Sequence, residues 1–223
     1  MYLKLKMILN IYKPVNWTSF EVVKKVRKII NEKKVGHGGT LDPFAEGVLI
    51  IGTGKDTKKL TSITNNDKSY IATIKLGVLT DTLDTEGEII QNKTIPKLDS
   101  EKVKDILKQF LGESYQIPPM YSAKKINGKR LYELARKNIK IKRKPIKIDI
   151  KDIDLIDFKN NTITFSITCS KGTYIRVLGK DIAEKLDTVG YLIKLIRTNV
   201  GTYNIKESQS IMNFEKAWKL SEI

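Results

Sequence analysis

Alternation is the feature that most restricts what this chain can become. Ile163-Thr164-Phe165-Ser166-Ile167-Thr168-Cys169 puts every second side chain on one apolar face, and Ile146-Lys147-Ile148-Asp149-Ile150 does the same. Tyr70 to Leu76 alternates as well and stops at Gly77. A period of two suits strands with one buried and one wet face, as in antiparallel sheets; parallel sheets covered on both sides need solidly apolar strands. Helical periods are interleaved with these strands. Thr18 and Glu21 form a capping box ahead of Val22, Val23, Val26, Ile29 and Ile30, which predicts a helix over 18–30. A second amphipathic helix is expected over 100–111, with Val103, Ile106, Leu107 and Phe110 inward and Gly112 as its stop. Residues 174–186 read as a further helix and 191–203 as a further strand. The expected class is therefore α+β: a mixed, mostly antiparallel sheet flanked by helices. A length of 223 residues allows one large domain or two small ones.

The longest apolar run, Gly47 to Gly52, is far too short to span a bilayer and reads as a buried strand. Met1 to Lys6 alternates apolar residues with lysines and lacks the apolar stretch of a signal peptide, so a cytoplasmic protein is expected. Cys169 is the one cysteine, which leaves no internal disulfide and no second thiol for zinc.

The net charge is +16. Two explanations compete: a polyanionic partner, or a codon bias that favours lysine. Location separates them. From Lys124 to Lys147 there are eleven basic residues and one acid, Glu133. A scattered bias would not gather most of the excess into one stretch. The alternative for the stretch itself is a solvated lysine-rich loop.

Val35-Gly36-His37-Gly38-Gly39-Thr40-Leu41-Asp42-Pro43-Phe44-Ala45-Glu46-Gly47-Val48-Leu49 is the densest segment. Its glycines permit positive φ and the close approach of a ligand. Pro43 pushes Asp42 towards extended backbone and so fixes where its side chain starts. Asp followed by Pro also begins helices, with Asp as N-cap, and that reading stands beside a functional one. His37, the one histidine, reads equally well as a surface or loop residue. Nearby, Gly52-Thr53-Gly54-Lys55 has the look of a phosphate loop, but Leu49 stands where glycine is needed and Asp56 where Ser or Thr should hold magnesium. A zinc-dependent base deaminase lacks its ligands here.

Gly-His-Gly-Gly-Thr-Leu-Asp-Pro followed by Ala-Glu-Gly-Val-Leu resembles the central motif of the TruB family of pseudouridine synthases. Further blocks follow in order. Tyr12-Lys13-Pro14 with Thr18-Ser19 resembles the family's opening, and Lys68-Ser69-Tyr70 leads a family strand. Thr80 to Gly87, Gln116 to Lys125, Cys169 to Arg176 and Leu195-Ile196-Arg197 are similar to later blocks. The resemblance implies a pseudouridine synthase fold over residues 1–203, with a basic RNA-clamping segment at about 115–147. Only about 20 residues, 204–223, follow where relatives continue into a small RNA-binding PUA domain. Phe214, Trp218 and Leu220 there suggest a short closing helix.

The resemblance also implies an activity: isomerisation of uridine-55 in the T loop of tRNA to pseudouridine, by base flipping, without cofactor or metal. Asp42 would be the catalytic carboxylate, acting as nucleophile or as proton acceptor. His37 would displace the target base and Tyr70 would stack on it. Arg176 would pair with Asp42; its permanently charged fork suits that task better than lysine. Tyr174 and Leu195 are implied as pocket wall, with Lys13 and Asp84 as supporting residues. Taken without the resemblance, Tyr70 is one tyrosine on a strand and Arg176 a surface residue on a helix. The partner implied is the T arm of tRNA; no protein partner and no membrane are implied, and a monomer is expected. A non-catalytic RNA-folding chaperone using the same surface is the alternative. One departure stands in the opening block, where Asn16 replaces the usual glycine; Asn tolerates left-handed φ, so the turn is expected to survive.

Overall fold

The computed structural model describes residues 7–159 and 161–221. The alternation of Met1 to Lys6 lies outside the described residues. The chain divides into two compact units, Met1–Tyr70 with Ile196–Ile223, and Ile71–Leu195. The first unit opens with β1 (Ile8–Lys13), α1 (Ser19–Ile30), β2 (Val35–Gly38), β3 (Glu46–Thr53) and α2 (Leu60–Asn65). Strand β4 (Lys68–Leu76) leads into the second unit, with β5 (Val78–Thr80), β6 (Ile89–Asn92), α3 (Ser100–Lys108) and β7 (Gly112–Gln116). The basic stretch supplies β8 (Lys125–Ile126), β9 (Lys129–Arg130) and α4 (Leu131–Ala135). Then come β10 (Ile146–Lys159), β11 (Thr162–Cys169) and α5 (Ile175–Lys185). Strand β12 (Gly190–Val200) leads back to the first unit, which closes with β13 (Tyr203–Asn204), β14 (Gln209–Ser210) and α6 (Ile211–Ser221).

In the first unit the strand order is β14-β1-β3-β12. Strand β3 runs antiparallel to β1 and β2 and parallel to β12. Its two faces serve two cores, which is why its sequence is solidly apolar. Leu49 and Ile51 meet Val22, Val23, Val26 and Ile30 of α1, with Phe214 of α6 in the same cluster. Val48 and Ile50 meet Leu60, Ile63 and Val200. Helix α1 carries the capping box as expected: Glu21 N–H donates to Thr18 Oγ1 at 3.1 Å and Thr18 N–H to the Glu21 carboxylate at 2.6 Å. Helix α6 is the closing helix that Phe214 and Trp218 foreshadowed.

In the second unit the order β4-β11-β10-β7 follows the alternation. Ile163, Phe165, Ile167 and Cys169 of β11 are buried, while the Thr and Ser residues between them are half-exposed. Strand β10 runs antiparallel to both β11 and β7. The class is the one expected, α+β on a mixed, mostly antiparallel sheet. Two element boundaries differ from expectation. Helix α3 ends at Lys108, because Gln109, Phe110 and Leu111 donate to carbonyls three residues back in tightening turns, and Gly112 (φ +89°) opens β7. The strand expected over 191–203 breaks at Gly201 (φ +54°) and folds back, pairing Val200 with Tyr203. No described helix is long and apolar enough to cross a membrane.

Candidate active site

Asp42 does not start a helix. It begins a turn in which Ala45 N–H donates to the Asp42 carbonyl at 3.1 Å, and the chain passes directly into β3. The N-cap reading is thereby overturned, since no helix follows for a cap to serve. The Asp42 side chain is half-buried, and buried cations hold the backbone on both sides of it. Lys13, at the end of β1, is fully buried and donates to the carbonyls of Pro14 (2.9 Å), Trp17 (2.6 Å) and Pro43 (3.2 Å). Arg197, 1% exposed on β12, donates to Val48 (2.7 Å), Gly39 (3.2 Å) and Thr40 (3.4 Å) carbonyls. These carbonyl shells offset part of the cost of taking a charge out of water.

Several neighbours complete the brace. Asn16 takes φ +65°, as expected of a residue standing in for glycine, and its N–H donates to Pro43 O at 2.8 Å. Gly47 (φ +107°) lies in register with Arg197, where a Cβ would collide with the Arg197 carbonyl oxygen. Buried Ser19 makes two bonds to Leu41, donating to its carbonyl at 3.0 Å and accepting from its N–H at 2.9 Å. Tyr12 donates to the Glu46 carboxylate at 2.6 Å; burial first, then Glu46, push its phenol up to about 12.

His37 lies on β2 opposite Ile51, half-buried, so it is a strand residue and not a loop one. Gly38 packs closely: a Cβ there would stand 3.3 Å from Leu60 of α2, whereas one on Gly36 would make an ordinary contact at 3.5 Å. Gly39 (φ +83°) is the glycine of the three that uses its conformational freedom. Tyr70 is 7% exposed, at an inward position of β4.

The second unit holds Arg176, Asp84, Tyr174 and Leu195. Arg176, 4% exposed, is no surface residue: its Nη1 stands 3.1 Å from the carboxylate of Asp84, itself 2% exposed. Arg176 also donates to the carbonyls of Thr82 (2.8 Å) and Tyr121 (2.7 Å). Asp84 accepts from Thr82 Oγ1 at 2.6 Å and from Glu86 N–H at 3.0 Å. This is a buried pair with further hydrogen bonds on both partners, the arrangement that breaking one partner disrupts most. Tyr174 precedes α5, and the Gln116 side chain grips its backbone on both sides, accepting its N–H at 3.0 Å and donating to its carbonyl at 3.4 Å. Leu195 is buried on β12. Ser19, Gln116 and Arg197 gain roles that sequence reasoning left unassigned; all three stood inside the quoted motifs, and that membership was the one signal the sequence offered.

The stretch from Lys124 to Lys147 is different in kind. Nine of its eleven basic residues are exposed, and only Lys147 has a carboxylate partner among the described residues, Glu113 at 2.7 Å. The guanidinium carbons of Arg130 and Arg136 lie 5.9 and 5.5 Å from the centre of the Tyr132 ring. Among the described residues no group of three or more His, Cys, Asp or Glu could hold a metal ion.

A family model described as the N-terminal domain of TruB family pseudouridylate synthases matches residues 27–175. The chain belongs to the TruB family. It is 47% identical over 201 residues to tRNA pseudouridine synthase B of Clostridium kluyveri, covering 90% of this chain and 69% of that relative. It is 42% identical over 222 residues to the Phocaeicola vulgatus protein of the same name, covering 97% and 94%. Among solved structures, a chain of a Cbf5-Nop10-Gar1 complex superposes with a TM-score of 0.77 at 26% identity, covering 99% of this chain and 57% of that one. The pseudouridine synthase fold expected from the motifs is thus the fold of this TruB family member.

Proposed function

We propose that this TruB family protein isomerises a uridine of tRNA to pseudouridine, and that the target is uridine-55 in the T loop. The observation that carries the reading is the Asp42 turn. A half-buried carboxylate with its backbone held on one side by Lys13 and on the other by Arg197 is built for a fixed direction of attack, and no structural duty as a helix cap accounts for it. In the reaction the carbon–nitrogen bond between sugar and uracil breaks, a carbon–carbon bond takes its place, and one proton moves from ring carbon to ring nitrogen. Atoms and charge balance within the substrate, so the proposal calls for no oxidant, metal or triphosphate. Asp42 supplies the carboxylate, as nucleophile or as proton acceptor. His37 displaces the base, Tyr70 stacks on it, and Tyr174 and Leu195 wall the pocket. The pairing of Arg176 with Asp42 that the family pattern implies is part of this proposal, with Asp84 as the second acid of the set. The exposed cations between Lys124 and Lys147 bind the phosphates of the T arm. The test is direct: unmodified tRNA incubated with the protein, without added metal or nucleotide, should gain pseudouridine at position 55 of the T loop. Pseudouridine elsewhere in the tRNA would correct the target, and none at all would overturn the activity.

A further inference from the structure

The outer face of α1 belongs to none of the machinery above. Phe20, Lys24, Arg27 and Lys28 recur at helical spacing and form one stripe along it. Phe20 is 51% exposed, with Lys24 Nζ 5.0 Å and the Arg27 guanidinium carbon 5.9 Å from its ring centre. At these distances the ring holds both cations along the stripe. The hydrogen bonds of the nearby acids go elsewhere: Glu21 accepts from Thr18 in the capping box, with Lys24 acting on it only through its charge, and Glu32 accepts Lys34 N–H at 2.8 Å. Lys25, on another face of the same helix, is paired with Glu215 at 2.6 Å. Among the described residues, Lys24, Arg27 and Lys28 have no carboxylate within ion-pair distance. Six basic residues stand against two acids between Thr18 and Lys34, and those with no ion pair among the described residues gather on this face or just after it, at Lys33 and Lys34.

Cations with no carboxylate at ion-pair distance, beside an exposed ring, suit a polyanion that also carries flat bases. The position of the stripe selects which polyanion. Helix α1 is fastened at its start by the Ser19–Leu41 bonds and near its end by Arg27 Nη2, which donates to Val35 O at 2.8 Å. Leu41 and Val35 bracket the segment from His37 to Thr40, next to Asp42. The structure assigns the α1 stripe as a second RNA-binding surface, which takes phosphates of the substrate RNA additional to those met by Lys124 to Lys147. This rests on the proposed function for the identity of the RNA.

The experiment compares tRNA binding against salt concentration for the full chain and for a Lys24→Gln, Lys28→Gln variant, with Lys25→Gln as control. Each phosphate that the protein no longer neutralises flattens the slope of log affinity against log salt by about 0.7–0.9, so the slope of the double variant should be shallower by about 1.4–1.8. The Lys25→Gln slope should stay at the wild-type value, and Phe20→Ala should weaken binding by loosening the same cations. An unchanged slope in the double variant overturns the assignment. So does a variant that loses binding to vesicles rich in anionic lipid while its RNA slope stands, since the face would then be membrane-directed. Pseudouridine formation by the unaltered protein is scored separately. A protein that shows the slope change but forms no pseudouridine refutes the activity and leaves the RNA surface in place.

Discussion

The turn around Asp42 and the stretch from Lys124 to Lys147 are both built with cations, and they use them in opposite ways. Lys13 and Arg197 are buried and spend their hydrogen bonds on the protein's own carbonyls, at Pro14, Trp17 and Pro43 and at Val48, Gly39 and Thr40. Nine of the eleven lysines and arginines of the basic stretch are exposed, with one carboxylate partner among the described residues. A buried cation must find acceptors or leave the interior, so it ends up fixing backbone geometry. An exposed one keeps its water and counterions until a denser array of charge displaces them. The same residue types therefore give precision in one place and attraction in the other.

The sharpest way to break the comparison is at the carboxylate itself. Asp42→Asn should lower the rate of pseudouridine formation by at least about 10²–10⁴-fold, the range for losing a positioned proton-transfer group. Binding of tRNA should stay within a few-fold of wild type and thermal unfolding should be unaltered, because no helix loses a cap. A variant that is merely less stable, with activity reduced in proportion, would return Asp42 to a structural role.

Arg197→Met tests the buried side of the comparison. It leaves three main-chain acceptors without their donor, and each buried unsatisfied group costs about 1–3 kcal/mol. Urea unfolding should show a loss of several kcal/mol, about 2 at the least. A loss within about 0.5 kcal/mol, the size of an ordinary surface change, would mean the carbonyls find water instead.

Arg176→Lys separates charge from shape. Lysine keeps the positive charge but cannot serve Asp84, Thr82 O and Tyr121 O from one planar fork. The rate should fall by about tenfold or more, corresponding to about 1.4 kcal/mol of lost transition-state stabilisation, while Kd for tRNA moves much less. Wild-type kinetics would place Arg176 outside the site.

The smallest effect on the folded protein is expected at the exposed side. Neutralising Lys140, Lys142, Arg143 and Lys144 together should leave unfolding within about 0.5 kcal/mol per site. The salt slope of tRNA binding should flatten by about 0.7–0.9 for each phosphate that is no longer neutralised. An unchanged slope would make this stretch a solvated loop after all.

Much of the architecture was legible locally. The capping box of α1, the alternation of β11 and the left-handed turn at Asn16 depend on residues within a few positions of one another, so the sequence displays them. Element ends were less legible. The closure of α3 at Lys108 depends on turns that tighten before Gly112, and the break after Val200 depends on a hairpin that the apolar pattern runs straight through. Strand β2 was hidden for a related reason: Val35–Gly38 has no alternation of its own and is a strand because β3 lies beside it.

At the site, the sequence by itself determined the chemistry on offer: one carboxylate before a proline, one histidine among glycines, and a few arginines in a lysine-rich chain. Motif order determined the family. Which reading of each residue holds was decided only by tertiary structure. Asp42 is freed from capping because β3, not a helix, follows its turn. Gly38 is small where Leu60 crowds it, and Arg176 is buried because Asp84 waits for it. Lys13 and Arg197 become braces only where carbonyls from distant segments converge on them. Burial and hydrogen-bond partnership are properties of neighbours in space, and residues 149 and 158 positions apart, as Arg197 is from Val48 and Gly39, leave no local pattern in the chain.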